Sequence, residues 1–221
     1  AVGRRLANLL SSARSYFDQA PSLFADCVSK NDSREDSKEL AKRFMSMEYD
    51  AKAEYRVMEA LRNHVQHVDV GVLSHTIGGH RDPATGHLPY SVAPHLPGRH
   101  LLESKKTKAL VRPDIKENMD LRLLVRTYSE SISKIHGQLR SESKGSVDRA
   151  RYFVDEYFAK IESSADFGKL YNLCVEKLIS NEVHEKFYIV TSWDDTRQWL
   201  IGRNAVLGDY SNHYVTGKIG G

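Results

Sequence analysis

The feature that most constrains this chain is a run of apolar residues spaced three and four positions apart between residues 40 and 65. This spacing predicts an α-helix with one buried stripe, because a strand would instead alternate every second residue. Ser33, followed three residues later by Asp36, predicts where the helix begins. A helix from there to about Val68 is too long for an isolated surface element, so we expect it to form the spine of a bundle. The stripe consists of Leu40, Phe44, Met47, Ala51, Tyr55, Met58, Leu61 and Val65.

Similar apolar stripes elsewhere in the chain predict the other helices of this bundle. The first helix is expected to end near Pro21, because proline disfavours the interior of a helix. A polar turn over residues 141–146 is expected to separate two later helices. The predicted helices cover residues 2–19, 22–29, 121–139, 147–161 and 167–178.

Two parts of the sequence lack the helical period and are expected to contain strands. Glycine and proline recur between about residues 70 and 116, where short strands are predicted. The C-terminal part is rich in β-branched and aromatic residues, which favour strands, and a turn is predicted over residues 194–196. The predicted strands cover residues 72–77, 88–92, 187–193, 198–201, 206–207 and 213–216.

These patterns together predict a mainly α fold, a helical bundle of about five helices with a β-containing insertion and a β-rich C-terminal appendage. The first helices, including the long one, occupy residues 1–69, and the insertion occupies residues 70–117. The remaining helices occupy residues 118–181, and the appendage occupies residues 182–221.

Composition sets only broad limits on the class of protein. The chain has 221 residues, 40% of them hydrophobic, which is typical of a globular protein, and its net charge of +3 does not by itself demand nucleic acid. No apolar run approaches the length of a membrane span, so no membrane association is expected. Cys27 and Cys174 lie far apart on predicted helices and are expected to be buried free thiols, which favours the cytoplasm.

The end of the long helix carries the strongest functional pattern in the sequence. Arg62 lies close to the buried stripe, while Asn63 and His67 lie on the polar side together with Glu59. A buried arginine needs a carboxylate or a partner chain to compensate its positive charge. Alternatively, an arginine that stabilises phosphate charge beside a histidine that transfers protons suits phosphodiester cleavage.

The pattern Arg62-Asn63-x-x-x-His67, near the end of a long helix in a helical chain, resembles the signature of HEPN domains. The resemblance covers these residues and the helical context of roughly 135 positions. It implies a metal-independent endoribonuclease without a cofactor, in which Arg62, Asn63 and His67 are catalytic. It also implies a toxin or antiviral role, an RNA substrate, a homodimer that joins two copies of the motif, and a neutralising protein partner.

Other interpretations of the same residues stay open. Arg62 and His67 are five positions apart, about 140° around a regular helix, so they meet only if the helix end unwinds or across a dimer. Arg81 and His87 satisfy a looser form of the pattern. In the alternative function, the chain is a non-catalytic helical interaction module, and Arg62 and His67 are structural or interface residues.

Three further groups of residues bear on RNA or metal binding. The basic residues predicted to contact an RNA backbone are Lys105, Lys106, Lys108, Arg122 and Arg126. Five histidines of the insertion invite a metal hypothesis, but their spacing favours solvated loop residues over a metal site. The aromatic residues Tyr152, Phe153, Tyr157 and Phe158 are expected in a core or subunit contact rather than in a platform that stacks on bases.

Overall fold

The computed structural model describes residues 2–28, 33–65, 74–79, 81–88, 90–162 and 173–203. This part of the chain contains six α-helices, one 3₁₀ helix and five strands, so the fold is mainly α with a β-containing appendage, as predicted. The α-helices are α1 (Val2–Cys27), α2 (Arg34–Ala51), α3 (Ala53–Val65), α4 (Arg99–Glu103), α5 (Leu121–Glu162) and α6 (Thr191–Arg203). The 3₁₀ helix covers Ala109–Asp114, and the strands are β1 (Ser74–Gly79), β2 (Tyr90–Pro97), β3 (Asn118–Asp120), β4 (Leu173–Ile179) and β5 (Glu182–Ile189).

The chain divides into two compact units, one that ends at Glu142 and one that begins at Ser143. We call them unit 1 and unit 2. The boundary falls within α5, which runs through both units as one continuous helix.

Unit 1 holds the hydrophobic core, which forms where α1, α2, α3, the 3₁₀ helix and the first half of α5 pack together. Its largest fully buried side chains include Tyr128, Leu10, Met58, Leu101 and Ile135. Leu101 of α4 and Val111 of the 3₁₀ helix belong to the same cluster. The insertion after α3 therefore contributes to the core and is not a detached loop.

The long predicted helix is present but is interrupted at a single residue. Ser33 caps α2 as predicted, because its hydroxyl accepts a hydrogen bond from the Asp36 N–H at 3.0 Å. Lys52 then adopts an extended conformation, with φ −126° and ψ 116°, between α2 and α3. Within α2 the buried residues are Ser37, Ala41 and Glu48, whereas Met47 is 54% exposed. The predicted stripe is therefore wrong at Met47 and at Ala51, which is also exposed.

Two breaks predicted in other helices are absent. Helix α1 continues through Pro21, because Ala20, Phe24 and Ala25 pack in the core on both sides of the proline. Helix α5 continues through the polar residues 141–146, where we predicted a turn. At Pro21 the core packing on both sides outweighs the local signal for a break. Around residues 141–146 the helix is supported by the ion pair of Lys144 with Asp148, four residues later.

The insertion contains a strand at each of the two predicted places. β1 ends at Gly79, two residues beyond the predicted end, and β2 ends at Pro97, five residues beyond it. β2 pairs with β1 from Ser74↔His95 to Gly79↔Tyr90, and with β3 from His95↔Asp120 to Pro97↔Asn118. Both pairings are antiparallel. The sheet leads directly into the first turn of α5.

Unit 2 differs from the prediction in two of its elements. The segment Leu173–Ile179 is strand β4, not the end of a helix, and it pairs with β5 around a turn at Ser180 and Asn181. Both turn residues have positive φ, which matches the twist of a two-residue hairpin. The remainder of the predicted helix over 167–178, like the strands predicted at 206–207 and 213–216, lies outside the described residues.

The strand predicted over residues 198–201 and the turn before it are also wrong, because both lie in helix α6. The Arg197 guanidinium contacts Asp194 at 2.5 Å, and Gln198 donates to the same carboxylate at 2.9 Å. Contacts three and four residues apart stabilise a helix, and here they outweigh the strand preference of the aromatic residues. Trp193 and Trp199 lie on this helix, 81% and 57% exposed.

The two cysteines are free, as predicted, but neither is buried. Cys27 is exposed at the end of α1, and Cys174 is half-buried in β4. Cys27 lies at the last residue of α1, beyond the core positions Phe24 and Ala25, and β4 belongs to a hairpin whose side chains face solvent on both sides.

Candidate functional site

Arg62 lies in the last turn of α3, inside unit 1. The preceding residues Tyr55, Met58 and Leu61 face the core, and Arg62 follows Leu61 at the edge of that face with only 8% of its surface exposed. The sequence therefore predicted correctly that this arginine lies against the apolar stripe. Burial of a guanidinium is unfavourable unless nearby groups satisfy its charge and its donors.

A network of side chains from two helices satisfies part of this demand. The Arg62 Nη1 lies 3.1 Å from the Glu59 Oε2, and Nη2 donates to the Asn63 Oδ1 at 2.8 Å. From α5, the Tyr128 hydroxyl donates to the Glu59 Oε1 at 2.7 Å. We call Glu59, Arg62, Asn63 and Tyr128 the Arg62 cluster.

The electrostatics of the cluster keep its phenols neutral. Tyr128 is fully buried, and its pKa is raised by burial first and then by the charge and hydrogen bond of Glu59. The pKa of the neighbouring Tyr55 is also raised, again by burial and then by the charge of Glu59. Neither tyrosine therefore adds a negative charge beside Glu59 and Arg62.

One donor of the cluster has no acceptor in the part of the chain that the structure describes. The Arg62 Nε is buried and forms no hydrogen bond within the described part of the chain. A guanidinium has five N–H donors in a planar fork, and a buried donor without a partner costs about 1–3 kcal/mol. An anion with several oxygens, such as a phosphate, would match the donors that remain.

The third residue of the motif cannot be placed beside the first two. His67 lies outside the described residues, and α3 is described as far as Val65. The structure therefore brings Arg62 and Asn63 together and leaves the predicted role of His67 as a prediction.

His64 is a residue that sequence reasoning did not select. Its Nδ1 is buried and has no hydrogen-bond partner among the residues described. His64 lies two positions after Arg62, about 200° around a regular helix, so it is on a different side of α3. No sequence signal distinguished it from an ordinary histidine near the end of a helix.

The predicted RNA-contacting lysines lie on the segment between α4 and the 3₁₀ helix. Lys105, Lys106 and Lys108 are exposed, and the Lys108 Nζ lies 5.8 Å from the centre of the Tyr49 ring. The 3₁₀ helix packs on α3, where the Arg56 guanidinium binds the Asp114 carboxylate at 2.6 Å. The segment is thus held against the helix that carries the Arg62 cluster.

The two arginines predicted to contact RNA are half-buried on α5. Arg122 forms an ion pair with Asp120 at 2.7 Å, and the same carboxylate accepts the Arg122 backbone N–H at 2.8 Å. This contact raises the pKa of Arg122 and lowers that of Asp120. Arg126 follows one turn later. Asp120 therefore caps α5, and the Arg122 side chain is paired with this capping carboxylate.

The alternative motif and those insertion histidines that the structure describes form no comparable cluster. Arg81 and His87 are both exposed, in a loop. Of the other insertion histidines, His95 contacts the Thr76 hydroxyl at 3.1 Å through its Nε2. Within the described ranges, no group of three or more His, Cys, Asp or Glu residues is arranged to hold a metal ion.

The aromatic residues of the second half of α5 are more exposed than predicted. Tyr152, Phe153 and Tyr157 are 71%, 59% and 44% exposed, so the prediction that they lie in a core is wrong. Residues 143–203 of the described chain contribute nothing to the core, so these rings have no apolar layer to pack against. The subunit contact that we also predicted for them stays a prediction.

Comparisons with models of known protein families, with curated proteins and with solved structures find no match to this chain. Among the described residues, no helix is long and apolar enough to cross a membrane. The resemblance to HEPN domains therefore depends on the motif and its helical context alone.

Proposed function

We propose that this chain is a HEPN-like, metal-independent endoribonuclease whose reaction depends on Arg62, Asn63 and His67. The observation that carries the proposal is the Arg62 guanidinium, which is held by Glu59 and Asn63 and has a buried Nε–H without an acceptor among the described residues. In the proposal, this donor binds an oxygen of the RNA phosphate after the site has opened to RNA. The toxin or antiviral role, the homodimer, the neutralising partner and the cytoplasmic location follow from the same resemblance and stay predictions.

The arginine and the histidine have different roles in the proposed reaction. The 2′-oxygen of the RNA attacks the adjacent phosphorus, and the bond from phosphorus to the 5′-oxygen breaks, leaving a 2′,3′-cyclic phosphate and a 5′-hydroxyl. His67 accepts the proton of the 2′-hydroxyl as the 2′-oxygen attacks, because the ordinary pKa of histidine is near neutral pH, and water protonates the departing 5′-oxygen. Arg62 cannot lose its proton, so it stabilises the charge on the non-bridging oxygens. Asn63 orients the guanidinium through its Oδ1.

Cleavage of a structured RNA in the presence of a chelator tests this proposal. We expect His67→Ala to slow cleavage by about 10²- to 10⁴-fold while RNA binding is retained, because only proton transfer is lost. Arg62→Lys should impair cleavage and keep part of the affinity, since lysine retains the charge but not the planar fork. His64→Ala is the matched control and should cleave normally.

Two results would contradict the mechanism. One is undiminished cleavage by a correctly folded His67→Ala variant, and the other is activity that stops with chelator and returns with magnesium. A substrate with 2′-deoxyribose at the cut site should resist cleavage, because the attacking hydroxyl is absent.

The second candidate function is the non-catalytic helical interaction module, and one observation favours it. The Arg62 guanidinium is already paired with Glu59 and its side chain is only 10% exposed, as expected for a structural ion pair. In that case Arg62→Lys would lower the stability of the protein, and neither the variant nor the wild type would cleave RNA.

A further inference from the structure

The position of Glu59 raises the question of how a phosphate would reach Arg62. Its carboxylate lies 3.1 Å from the Arg62 Nη1, where a phosphate oxygen would have to bind. Carboxylate and phosphate oxygens compete for the same guanidinium donors with similar geometry. The described structure therefore holds the arginine in contact with an internal anion.

Tyr128 fixes this anion from the opposite side. Its hydroxyl donates to the other oxygen of Glu59 at 2.7 Å, and the tyrosine is fully buried, so the carboxylate is held between two helices. The side chains of Arg62 and Glu59 are only 10% and 18% exposed. A phosphate cannot approach Nη1 unless Glu59 moves.

We infer that Glu59 is an internal competitor for phosphate at Arg62, so that RNA binds only when this carboxylate is displaced. The inference rests on the proposed function and adds a resting state to it. Displacement of Glu59 would free the Nη1 donors, and the buried Nε–H already lacks an acceptor among the described residues. An RNA phosphate would then take the place of the Glu59 carboxylate and present several charged oxygens to the Arg62 guanidinium.

The test compares the affinity of the wild type and of Glu59→Gln for an RNA oligonucleotide with 2′-O-methyl groups, which cannot be cleaved. Glutamine keeps an oxygen to accept from Tyr128 but loses the charge that competes for Arg62. We expect Glu59→Gln to bind about three- to tenfold more tightly, measured by fluorescence anisotropy at fixed salt.

Two matched variants separate this effect from general electrostatics. Glu54→Gln removes the same charge from the first turn of the same helix, away from Arg62, and should change the affinity much less. Arg62→Ala combined with Glu59→Gln should abolish the gain. If Glu59→Gln fails to fold, Glu59→Asp keeps the charge but shortens the side chain, and it should give a smaller gain.

The outcomes of this test are distinguishable from those of the cleavage assay. Tighter binding by Glu59→Gln, together with no cleavage by any variant, would support the competitor and overturn the ribonuclease. Unchanged or weaker binding by a folded Glu59→Gln, or an equal gain in Glu54→Gln, would overturn the competitor even if the wild type cleaves RNA.

Discussion

Glu48 and Arg62 are charged side chains that lie inside unit 1 with less than a tenth of their surface exposed. Arg62 is paired on its own helix, whereas Glu48, at 2% exposure, is paired with Lys52 at the end of its own helix and with Lys134 of α5. One of its oxygens contacts the Lys134 ammonium of α5, and the other lies 3.5 Å from the Lys52 Nζ at the break between α2 and α3. Burial alone would raise the pKa of Glu48, but the hydrogen bond from Lys134 and the charges of both lysines lower it.

The Glu48 carboxylate is buried, whereas its partner Lys134 is 56% exposed, so substitution of the lysine leaves a buried charge behind. Lys134→Ala leaves a buried carboxylate with only Lys52 to compensate it, so we expect a loss of about 1–3 kcal/mol in the free energy of unfolding. Lys144→Ala is the matched control, because it removes an exposed ion pair with Asp148 on the same helix and should have a much smaller effect. Denaturant unfolding at neutral pH measures both.

The acid side of the stability profile provides a check on this prediction. The pKa of Glu48 is lower in the folded chain than the ordinary value of 4.5. Its contribution is therefore present above about pH 4.5 and is lost as the pH falls through the folded value. Lys134→Ala should reduce this acid sensitivity, and equal losses for Lys134→Ala and Lys144→Ala would contradict our account of the buried pair.

Sequence reasoning reached Arg62 and Asn63 but not Tyr128. The apolar stripe placed the arginine near the core, and its charge then required an acceptor. Tyr128 is 69 positions from Glu59 in the sequence, so its hydrogen bond depends on the packing of α5 against α3 and has no local signal. Glu48 was missed because an apolar neighbour, Met47, fitted the helical period better than a carboxylate did.

At the scale of elements, the prediction found most helices of unit 1 and misplaced their ends. The helical period at Tyr55, Met58 and Leu61 was sufficient for α3, since those residues do face the core. The break at Lys52 left no glycine or proline signal. Conversely, the sequence predicted breaks at Pro21 and at the polar residues 141–146, but α1 and α5 continue through them.

Gly98, in the turn between β2 and α4, leads to a more specific prediction. A Cβ on Gly98 would lie 2.1 Å from the Lys116 carbonyl oxygen and 2.8 Å from the Ile115 Cγ2. The Gly98 N–H also donates to the Glu117 carbonyl at 2.9 Å, which holds the two segments together. We expect Gly98→Ala to destabilise the protein by at least about 2 kcal/mol, measured by thermal or denaturant unfolding.

Gly137, in the middle of α5, is the matched control for this substitution. A Cβ at Gly137 meets nothing within 4 Å, so Gly137→Ala should stabilise the helix by about 0.5–1 kcal/mol. If Gly98→Ala unfolds like the wild type, the close approach of residues 115–117 to this turn is wrong.

At the scale of the whole molecule, the two units differ most in how far their large apolar side chains are buried. Unit 1 buries an aromatic group around Tyr55, with ring centres 5.2 Å from Tyr128, 6.2 Å from Phe17 and 6.2 Å from Tyr49. The described part of unit 2 exposes its large apolar side chains on β4, β5 and α6, among them Phe187 at 60% and Tyr188 at 61%. A two-stranded hairpin of this kind is only marginally stable alone in water.

The positions of the two tryptophans make this contrast measurable by fluorescence. Trp193 and Trp199 are the only tryptophans in the sequence, and both lie exposed on α6, while unit 1 contains buried tyrosines instead. Tryptophan emission should therefore be that of rings in water and change little when unit 1 unfolds, whereas the near-ultraviolet dichroism of the tyrosines should be lost. A denaturant titration that follows both signals tests this, and coincident transitions of equal amplitude would contradict it. Any molecule that covers α6 should move the emission to shorter wavelength, so the chain carries its own fluorescent reporter for a contact at that helix.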